Sequence, residues 1–447
     1  MIQVMAGSSP TAIVGPPTTS YTSLLTGGGN TALERGNFDV IGVACRLRNI
    51  FVRISAAPGV GNTRTATLRV NEADTAVTFT IAGLDTFGSY TAGDLSLSVG
   101  DIVSLKWTGT GTPPSAGLSH ISYEIETPDP YMALYFGGDG TILYADPYFC
   151  GVFQHGGLDR VIDGGPGTVW NVVALTGQIT GYRILLTDDV FNLGVYDFTF
   201  TIYKSTDHGV TFVAQDGSGG TPDTRLHAVG GGLGPHVNAQ HTTSFQLQVT
   251  RGDLIYLRID RGVTGDPFTK HCAYCFTFLS SEAYAWPLNG NSVGNMSTTQ
   301  TQYAPIWDGR SVVWEVTEAG RATSEAGYTP VTMGREIVWM TVEPGVGESR
   351  DFLSRRNGAD QSLHILLSDL ERWGEDNVHS FPLVFGDTFG LKVDPTSAHL
   401  SFAVWGYVQQ VPHASIVCEF PLPPDGGSAC ANQMDLPADS GGGAGAP

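Results

Sequence analysis

The chain has 447 residues, a formal net charge of −20, only four lysines, 58 glycines and 25 prolines. This length predicts about three domains. The many glycines and prolines, together with a content of charged residues of 15%, are typical of short strands joined by tight turns. A nucleic-acid-binding protein needs a basic face, which no part of the sequence offers. Adhesion to an anionic membrane by charge is disfavoured for the same reason.

The cysteines and the N-terminal segment restrict the class of protein further. Six cysteines at irregular spacing do not form a disulfide framework. The first residues lack the basic and apolar regions of a secretory signal, and no apolar stretch approaches the roughly 18 residues that span a bilayer. We therefore expect a chain that is made in the cytoplasm as a soluble protein.

An internal repeat organises the sequence. Residues 52–106 align with residues 338–392 without a gap, at a constant shift of 286 positions (338 minus 52). Turn residues and strand residues match together over this length, which indicates two copies of one domain. The matching turn residues are Pro58, Gly59, Gly61, Asn71, Gly100 and Asp101 in the first copy, and Pro344, Gly345, Gly347, Asn357, Gly386 and Asp387 in the second.

A fainter copy lies between these two. Leu68 corresponds to Ile202 at a shift of 134 (202 minus 68), and the Gly100 turn corresponds to Gly252-Asp253 at a shift of 152 (252 minus 100). The middle copy therefore carries 18 extra residues between these points (152 minus 134). We expect them in a long surface loop within residues 206–241, where extra length is tolerated.

In chain order, the first copy shows the local pattern of a sandwich. A short strand at residues 51–54 ends at a Pro-Gly turn, and residues 64–71 and 77–81 alternate polar with apolar side chains, as half-buried strands do. An apolar strand at 102–105 follows the Gly-Asp turn. The residues expected in the cores of the three copies are Ile54, Leu68, Phe79, Val103, Leu105, Ile202, Phe245, Leu257, Leu391 and Phe402.

These elements predict an all-β chain of three tandem antiparallel β-sandwich domains of jelly-roll type with little helix, although closure into barrels is an alternative. One helix is predicted at residues 368–376, with Ser368 as its N-cap. The predicted organisation is an N-terminal arm (1–36), sandwich 1 (37–128), a turn-rich linker (129–169), sandwich 2 with the enlarged loop (170–281), a second linker (282–310), sandwich 3 as a copy of sandwich 1 (311–412), and a flexible tail (413–447).

The run FVRISAAPGVGNTRTATLRVN, followed by SVGDIVSLKWTGTGTPPSA, resembles a segment that recurs in phage and environmental viral structural proteins. In those proteins it belongs to jelly-roll-like domains of virion fibres and related surface proteins, which are often trimeric. The resemblance covers the first and third copies clearly and the middle copy weakly, and the third copy lacks the Gly111-Thr112-Pro113 loop. It implies a virion protein that forms a homo-oligomer, a trimer by analogy, and contacts other virion proteins.

Two local patterns have simple structural explanations. Arg251-Gly252-Asp253 spells the integrin-binding tripeptide, but Gly-Asp recurs at this place in all three copies, so we interpret it as a hairpin turn in which Arg251 is incidental. Cys272 and Cys275 have the spacing of a zinc half-site, yet a strand would point them to opposite faces, and buried cysteines are the better interpretation.

Metal-ligating residue types also occur without a compact motif. We interpret the histidines and aspartates of the expected loop as a solvated surface; they are His208, His227, His236, His241, Asp207, Asp216 and Asp223. The acidic residues of the first linker lack the alternation of a calcium loop; they are Asp139, Asp146, Asp159 and Asp163. We therefore expect no metal and no cofactor.

No nucleophile elbow, phosphate-binding loop or zinc-protease helix occurs in the sequence. A glycan hydrolase would need paired carboxylates, for which the candidates are Glu72, Asp74, Glu124, Glu371 and Glu375, but acidic solvated faces explain these residues. A host-glycan-binding adhesin or receptor-binding protein would use exposed aromatic residues, for which the candidates are Trp107, Trp286, Trp307 and Trp373, with core packing as the alternative. The sequence favours a non-enzymatic virion structural protein, such as a head fibre, a decoration protein or a tail-associated fibre or spike.

Overall fold

The computed structural model describes residues 1–7, 12–13, 19–24, 30–31, 34–142, 147–153, 170–188, 196–230, 236–241, 245–261, 270–292, 295–306, 314–318, 324–325, 327, 329–396 and 399–412. In these residues the chain forms strands and two short 3-10 turns, Glu34–Asn37 and Ser218–Gly220. No helix among them is long and apolar enough to cross a membrane.

Three consecutive groups of strands form three sandwiches. Sandwich 1 contains β1 (Ile2–Gly7), β2 (Ala12–Ile13), β3 (Ser20–Thr22), β4 (Asn30–Thr31), β5 (Asp39–Val40), β6 (Cys45–Ile54), β7 (Gly59–Val70), β8 (Ala73–Gly83), β9 (Phe87–Tyr90), β10 (Leu95–Leu97), β11 (Ile102–Thr110) and β12 (Ala116–Glu126). Sandwich 2 contains β13 (Met132–Ile142), β14 (Tyr148–Cys150), β15 (Asn171–Val172), β16 (Gly177–Asp188), β17 (Tyr196–Ser205), β18 (Val213–Ala214), β19 (Leu226–Gly230), β20 (His236–His241), β21 (Leu247–Val249), β22 (Leu254–Arg261) and β23 (Lys270–Ser280). Sandwich 3 contains β24 (Ala285–Asn291), β25 (Gln302–Ala304), β26 (Ser324–Glu325), β27 (Val331–Met340), β28 (Gly345–Arg356), β29 (Ala359–Asp369), β30 (Trp373–Leu383), β31 (Thr388–Thr396) and β32 (Ala403–Gln410).

All three sandwiches share one strand order. Sandwich 3 shows it most simply, with sheets β24-β32-β27-β30 and β25-β31-β28-β29, and the same order recurs as β1-β12-β6-β10 with β3-β11-β7-β8, and as β13-β23-β16-β20 with β14-β22-β17-β18. When only the eight strands of these two paths are counted in each sandwich, one sheet takes the first, eighth, third and sixth strands and the other takes the second, seventh, fourth and fifth. This antiparallel double sheet is a jelly roll. The predicted fold class is confirmed.

The cores occupy the space between the paired sheets of each sandwich. Nine of the ten predicted core residues are buried, and Phe402 is half-buried. Trp107, Trp286 and Trp405 are among the largest fully buried side chains. The alternating burial of β7 and β8, which face the core with every second residue, follows from the period of a half-exposed strand.

Residues that the sequence assigns to the arm and the linkers form the first strands of the sandwiches, and that assignment is wrong at these positions. Ile2–Gly7 pairs with β12, Met132–Ile142 pairs with β23, and Ala285–Asn291 pairs with β32. Each is an edge strand. A strand pattern is hidden in the sequence by the three glycines inside Met132–Ile142 and by Pro287 and Gly290 inside Ala285–Asn291.

Two further predictions are corrected. The helix predicted at residues 368–376 is absent, because β29 ends at Asp369 with a positive φ of 54° and β30 begins at Trp373. The Glu371 carboxylate accepts a hydrogen bond from the Ser368 amide at 2.9 Å inside this tight turn. The expected long loop of sandwich 2 instead contains β18, β19 and β20, so that part of its extra length forms strands.

Candidate assembly interfaces

The Gly-Asp turn of sandwich 1 is clamped by one asparagine. Gly100 has a φ of 89°, and the Asp101 carboxylate accepts the Ser98 amide at 2.7 Å. Asn71 Nδ2 donates to Asp101 Oδ1 at 2.8 Å, while Asn71 Oδ1 accepts the Ile102 amide at 3.0 Å. Asn71 itself has a φ of 52°, a conformation that asparagine tolerates better than most residues. The clamp therefore joins two turns at one end of the sandwich.

Sandwich 3 repeats this clamp. Asn357 Nδ2 donates to Asp387 Oδ1 at 2.6 Å, and Asn357 Oδ1 accepts the Thr388 amide at 2.9 Å. Burial opposes ionisation of Asp387, but hydrogen bonds from Val384, Asn357 and Arg356 hold its pKa below the ordinary value. In sandwich 2 the equivalent Asp253 accepts the Thr250 amide at 2.8 Å and lies 3.5 Å from Lys204 Nζ.

The Gly-Asp turn also holds the segment before the third strand. In sandwich 1, the Ile41 amide donates to the Asp101 carbonyl at 2.9 Å, and the Gly100 amide donates to the Ile41 carbonyl at 2.8 Å. In sandwich 2, Val173 makes the same two bonds with Asp253 and Gly252 at 2.8 and 2.9 Å. We call residues 41–44, residues 173–175, and the described residues Gly327 and Thr329 the interface loops of sandwiches 1, 2 and 3, respectively.

Each interface loop places a small residue against the next sandwich. A Cβ atom added to Gly42 would lie 2.9 Å from Cys275 Sγ in sandwich 2, and one added to Gly327 would lie 2.5 Å from Val4 Cγ1 and 3.0 Å from Ser122 Oγ in sandwich 1. Such approaches leave no space for a larger side chain.

In the contact between sandwiches 2 and 3, the glycine lies on the strand of sandwich 3 that receives the interface loop of sandwich 2. A Cβ atom added to Gly406 of sandwich 3 would lie 3.1 Å from Ala174 Cβ and 3.0 Å from the Val172 carbonyl oxygen. Val172, Ala174 and Leu175 pack in one apolar cluster with residues of sandwich 3, among them Ala285, Ile337, Trp339, Val404 and Val408.

The residues that the interface loops contact occupy equivalent positions in the three sandwiches. Ser122, Cys275 and Gly406 all lie on the eighth strand, where they pair with Phe51, Arg183 and Ile337 of the third strand, respectively. Phe51 and Ile337 are related by the repeat shift of 286 (337 minus 51). Sandwich 1 therefore contacts sandwich 2, sandwich 2 contacts sandwich 3, and sandwich 3 contacts sandwich 1 through the same surfaces. The chain forms a closed three-sandwich ring with approximate threefold symmetry.

Arg251, which precedes the Gly-Asp turn of sandwich 2, belongs to this ring. Its Nε donates to Glu375 Oε2 of sandwich 3 at 2.8 Å, and its other nitrogens lie 3.3 Å from the Ala174 carbonyl oxygen and 3.4 Å from the Glu336 carbonyl oxygen. The turn geometry of Arg251-Gly252-Asp253 matches the sequence interpretation, but the view of Arg251 as incidental is wrong. The arginine bridges two sandwiches.

Aromatic side chains complete the contact between sandwiches 2 and 3. His208 stacks on Trp373 with centroids 4.5 Å apart, and Trp170 packs against Trp339 at 4.7 Å. The Trp339 indole also donates to the His208 carbonyl at 3.0 Å. These groups occupy an interface inside the chain.

The contact between sandwiches 3 and 1 closes the ring without a peptide connection. Phe385, at the equivalent of Arg251, packs against Phe51 with centroids 4.6 Å apart, and Phe87 lies 6.2 Å from Phe385. The Thr329 amide donates to the buried Glu124 carboxylate at 2.7 Å. We call this contact between sandwiches 3 and 1 the seam. It joins residues that are more than 200 positions apart in sequence (329 minus 124 is 205).

The structure places the other candidate residues in structural roles. Cys272 and Cys275 are buried, and burial raises the pKa of both thiols. No group of three metal-ligating side chains occurs among the described residues. The side chains of His236, His241, Asp139 and Asp146 lie outside the described part of the chain, as do Asp159 and Asp163.

The candidate carboxylates do not form an isolated pair for catalysis. Asp74 contacts Arg69 and Lys106, Glu124 contacts Arg48, and Glu375 contacts Arg251. Glu72 lies on an exposed turn. Of the candidate sugar-stacking residues, Trp107 and Trp286 are buried, Trp373 stacks on His208, and Trp307 lies outside the described residues.

The interface residues were not found from the sequence. Gly42, Ala174 and Gly327 fall in segments without a strand or turn pattern. The only signal of these interface residues in the sequence is the spacing of Gly42 and Gly327. They are 285 residues apart (327 minus 42), one less than the repeat shift. Small residues at nearly the same place in two copies indicate a close backbone approach.

No family model and no curated protein matches the chain. Among solved structures, a chain of Broad Bean Stain Virus is 8% identical with a TM-score of 0.21, and the match covers 63% of this chain and 88% of that chain. Two structures of infectious bursal disease virus, one of the Gx strain and one of the T13 particle, are 9% and 10% identical with TM-scores of 0.19 and 0.17. These matches cover 94% and 92% of this chain and 82% and 77% of those chains. TM-scores this low support no argument about function.

Proposed function

We propose that this chain is a non-enzymatic structural subunit of a virus particle, and that one polypeptide supplies a ring of three jelly rolls to the particle surface. The observation that carries the proposal is the closed ring, in which three equivalent contacts join three equivalent sandwiches. Contacts between unlike surfaces that close after a fixed rotation are a means of building symmetric assemblies. Double-sheet jelly rolls are used for this purpose in viral capsid domains.

The charge of the chain agrees with this role. A net charge of −20 keeps many copies of a protein apart and soluble before they assemble. The three sandwiches close on one another through their contacts, which favours a place in or on the shell over an elongated fibre. The proposal includes a bacterial host, because the sequence resembles structural proteins of phages.

The test is to locate the protein in particles. Purified virions should contain the chain at many copies, as measured by quantitative mass spectrometry, and cryo-electron microscopy should show density into which the three-sandwich ring fits as one body. Absence of the chain from purified particles, with retention in the lysate, would overturn the proposal.

Two finer predictions depend on this function. The homotrimer implied by the resemblance would bring three rings together, and light scattering of the purified protein at three times its monomer mass would support it. Binding to host glycans would give hits on a glycan array, whereas no hits and retained particle binding would favour a purely structural role.

A further inference from the structure

A buried carboxylate lies in the seam between sandwiches 3 and 1. Glu124 is on β12, the eighth strand of sandwich 1, and its side chain is fully buried. Its Oε1 accepts the Thr329 amide of sandwich 3 at 2.7 Å. Its Oε2 accepts Arg48 Nε at 3.2 Å and Asn49 Nδ2 at 2.8 Å, both within sandwich 1. Three donors from two sandwiches therefore share one carboxylate.

The other two contacts of the ring have no carboxylate at this position. Two residues beyond the position that the interface loop contacts, the eighth strands of sandwiches 2 and 3 carry Thr277 and Val408. Those contacts also lie between sandwiches that are consecutive in the chain, joined by residues 127–131 and 281–284. The charged group thus lies at the contact whose two sides are not joined directly by the chain.

The geometry of the seam fits the ionised form of Glu124. An ionised carboxylate only accepts hydrogen bonds, whereas a protonated one carries an O–H group that must donate. Thr329, Arg48 and Asn49 all present N–H donors, so a proton on Glu124 would face a donor or displace a bond. Hydrogen bonds to a charged group are also roughly twice as strong as neutral ones. Uptake of a proton therefore weakens what holds Thr329.

The Thr329 bond is the one that a movement of sandwich 3 breaks. Arg48 and Asn49 lie on β6, which pairs with β12, so they stay beside Glu124 when sandwich 3 moves away. In the open seam water replaces Thr329 and solvates the protonated group as well as the ionised one. Since the closed form prefers the ionised group, protonation and opening favour each other.

Other charged and titratable groups surround Glu124 on the elements packed against it. They are Arg46 and Arg48 on β6, His120 and Glu126 on β12, the Met1 amine before β1, and Glu325 on β26, which packs against β1 and β12. The Glu126 carboxylate lies 3.9 Å from Arg48 Nη1, inside sandwich 1. His120 lines a gap between Phe51 and Phe385 and also takes up protons in acid. A test of Glu124 must therefore include a comparison at constant pH.

We propose that Glu124 is a proton-operated latch of the ring, which holds sandwich 3 against sandwich 1 when ionised and lets the seam open when protonated. The contact between sandwiches 2 and 3 keeps the apolar cluster around Trp339, which proton uptake does not change. The chain therefore changes from a closed ring to an open arc without unfolding. This change belongs to the single chain and does not depend on its place in a particle.

The experiment follows the full chain from pH 7 to about pH 4, a range in which glutamates take up protons. Small-angle X-ray scattering measures the radius of gyration, and hydrogen exchange measures the protection factor of the Thr329 amide. In acid we expect a larger radius and a protection factor lower by at least about tenfold, because one hydrogen bond to a charged group is lost. Residues 172–175 should stay protected, and a return to pH 7 should restore the closed ring.

The variant Glu124→Gln tests the latch at pH 7, so that His120 and the other titrating groups are not altered. Glutamine carries no charge and brings two donors of its own towards Arg48 and Asn49. We expect an open seam at pH 7 and little further change in acid. The matched control is Glu126→Gln, which removes the same charge from the same strand and should behave as the unchanged chain.

Circular dichroism and thermal melting check that both variants fold, and the pH series of the unchanged chain tests the latch without any substitution. An unchanged chain that stays closed at pH 4 would overturn the proposal, as would a folded Glu124→Gln variant that is closed at pH 7. So would an equal loss of protection at residues 172–175, which would mean general unfolding. Opening of Glu126→Gln to the same extent would show that charge alone, and not the bond to Thr329, controls the seam.

Discussion

Glu336 is a carboxylic acid in the centre of sandwich 3. Its side chain is fully buried, and it accepts hydrogen bonds from the Ser354 and Tyr407 hydroxyls at 3.1 and 2.8 Å. Burial raises its pKa from 4.5 to about 8, because the charged form loses its water, and the hydrogen bonds only partly oppose this. At neutral pH the folded protein therefore keeps a proton that the unfolded chain releases.

This pKa predicts that sandwich 3 becomes less stable as the pH rises. Below pH 4.5 the group is protonated in both states, and between pH 4.5 and about 8 only the folded state holds the proton. The free energy of unfolding should then fall by up to about 1.4 kcal/mol per pH unit in this window. Glu336→Gln should remove this dependence and unfold at higher urea than the unchanged protein at pH 8. Urea titrations at several pH values measure it, with Glu72→Gln as the exposed control, and equal slopes in both variants would contradict the prediction.

At the scale of elements, the Asn-Asp clamp decides how two hairpin ends meet. Asn71→Ala should lower the free energy of unfolding by about 1–3 kcal/mol, because it removes two hydrogen bonds and leaves alanine at a positive φ. Asn71→Gly removes the same bonds without the backbone strain and should cost less. Chemical denaturation of both variants checks the order, and the prediction fails if glycine is the more damaging substitution.

Strands and turns were predictable where the signal is local. The Gly-Asp turns, the alternating strands such as β7, and the apolar strand β11 carry their own pattern, so the sequence predicts them correctly. The first strands do not, because Pro287 and Gly290 in β24 have low strand propensity, and these residues become a strand only by pairing with β32. The helix predicted at 368–376 failed for the opposite reason, since a helical composition yielded to the pairing of β28 with β29.

At the scale of the whole molecule, the ring could not be predicted from the sequence. Its contacts join loops to strands far along the chain, and they depend on residues that lack side chains, such as Gly42 against Cys275. Close packing of a glycine leaves no periodicity, no charge pattern and no motif. The sequence identifies the clamp residues as turn motifs, but only the fold shows that they position an interface.

The seam between sandwiches 3 and 1 gives a prediction at this scale. Gly327→Val should force the seam open, because even a single Cβ atom would meet Val4 and Ser122, and such overpacking costs about 1–3 kcal/mol. Small-angle X-ray scattering should show a larger radius of gyration, and residues 1–7 should exchange amide hydrogens faster.

The matched control for the seam is Gly93→Val. A Cβ atom added to Gly93 would have only the Tyr90 hydroxyl near it, at 3.8 Å. This variant should keep the scattering curve of the unchanged protein. An identical curve for Gly327→Val would show that the seam does not hold the ring together.

The peptide connections between the sandwiches have a consequence for stoichiometry. Separate subunits dissociate on dilution, whereas linked ones stay at a high effective concentration. Linked units can also differentiate: Thr65 and Thr78 on the outer face of sandwich 1 correspond to Asp351 and His364 of sandwich 3, which contact each other. A single chain thus supplies the chemically distinct outer faces of sandwiches 1 and 3 in a fixed ratio of one to one. Because the sandwiches are linked, neither one can take the position of the other.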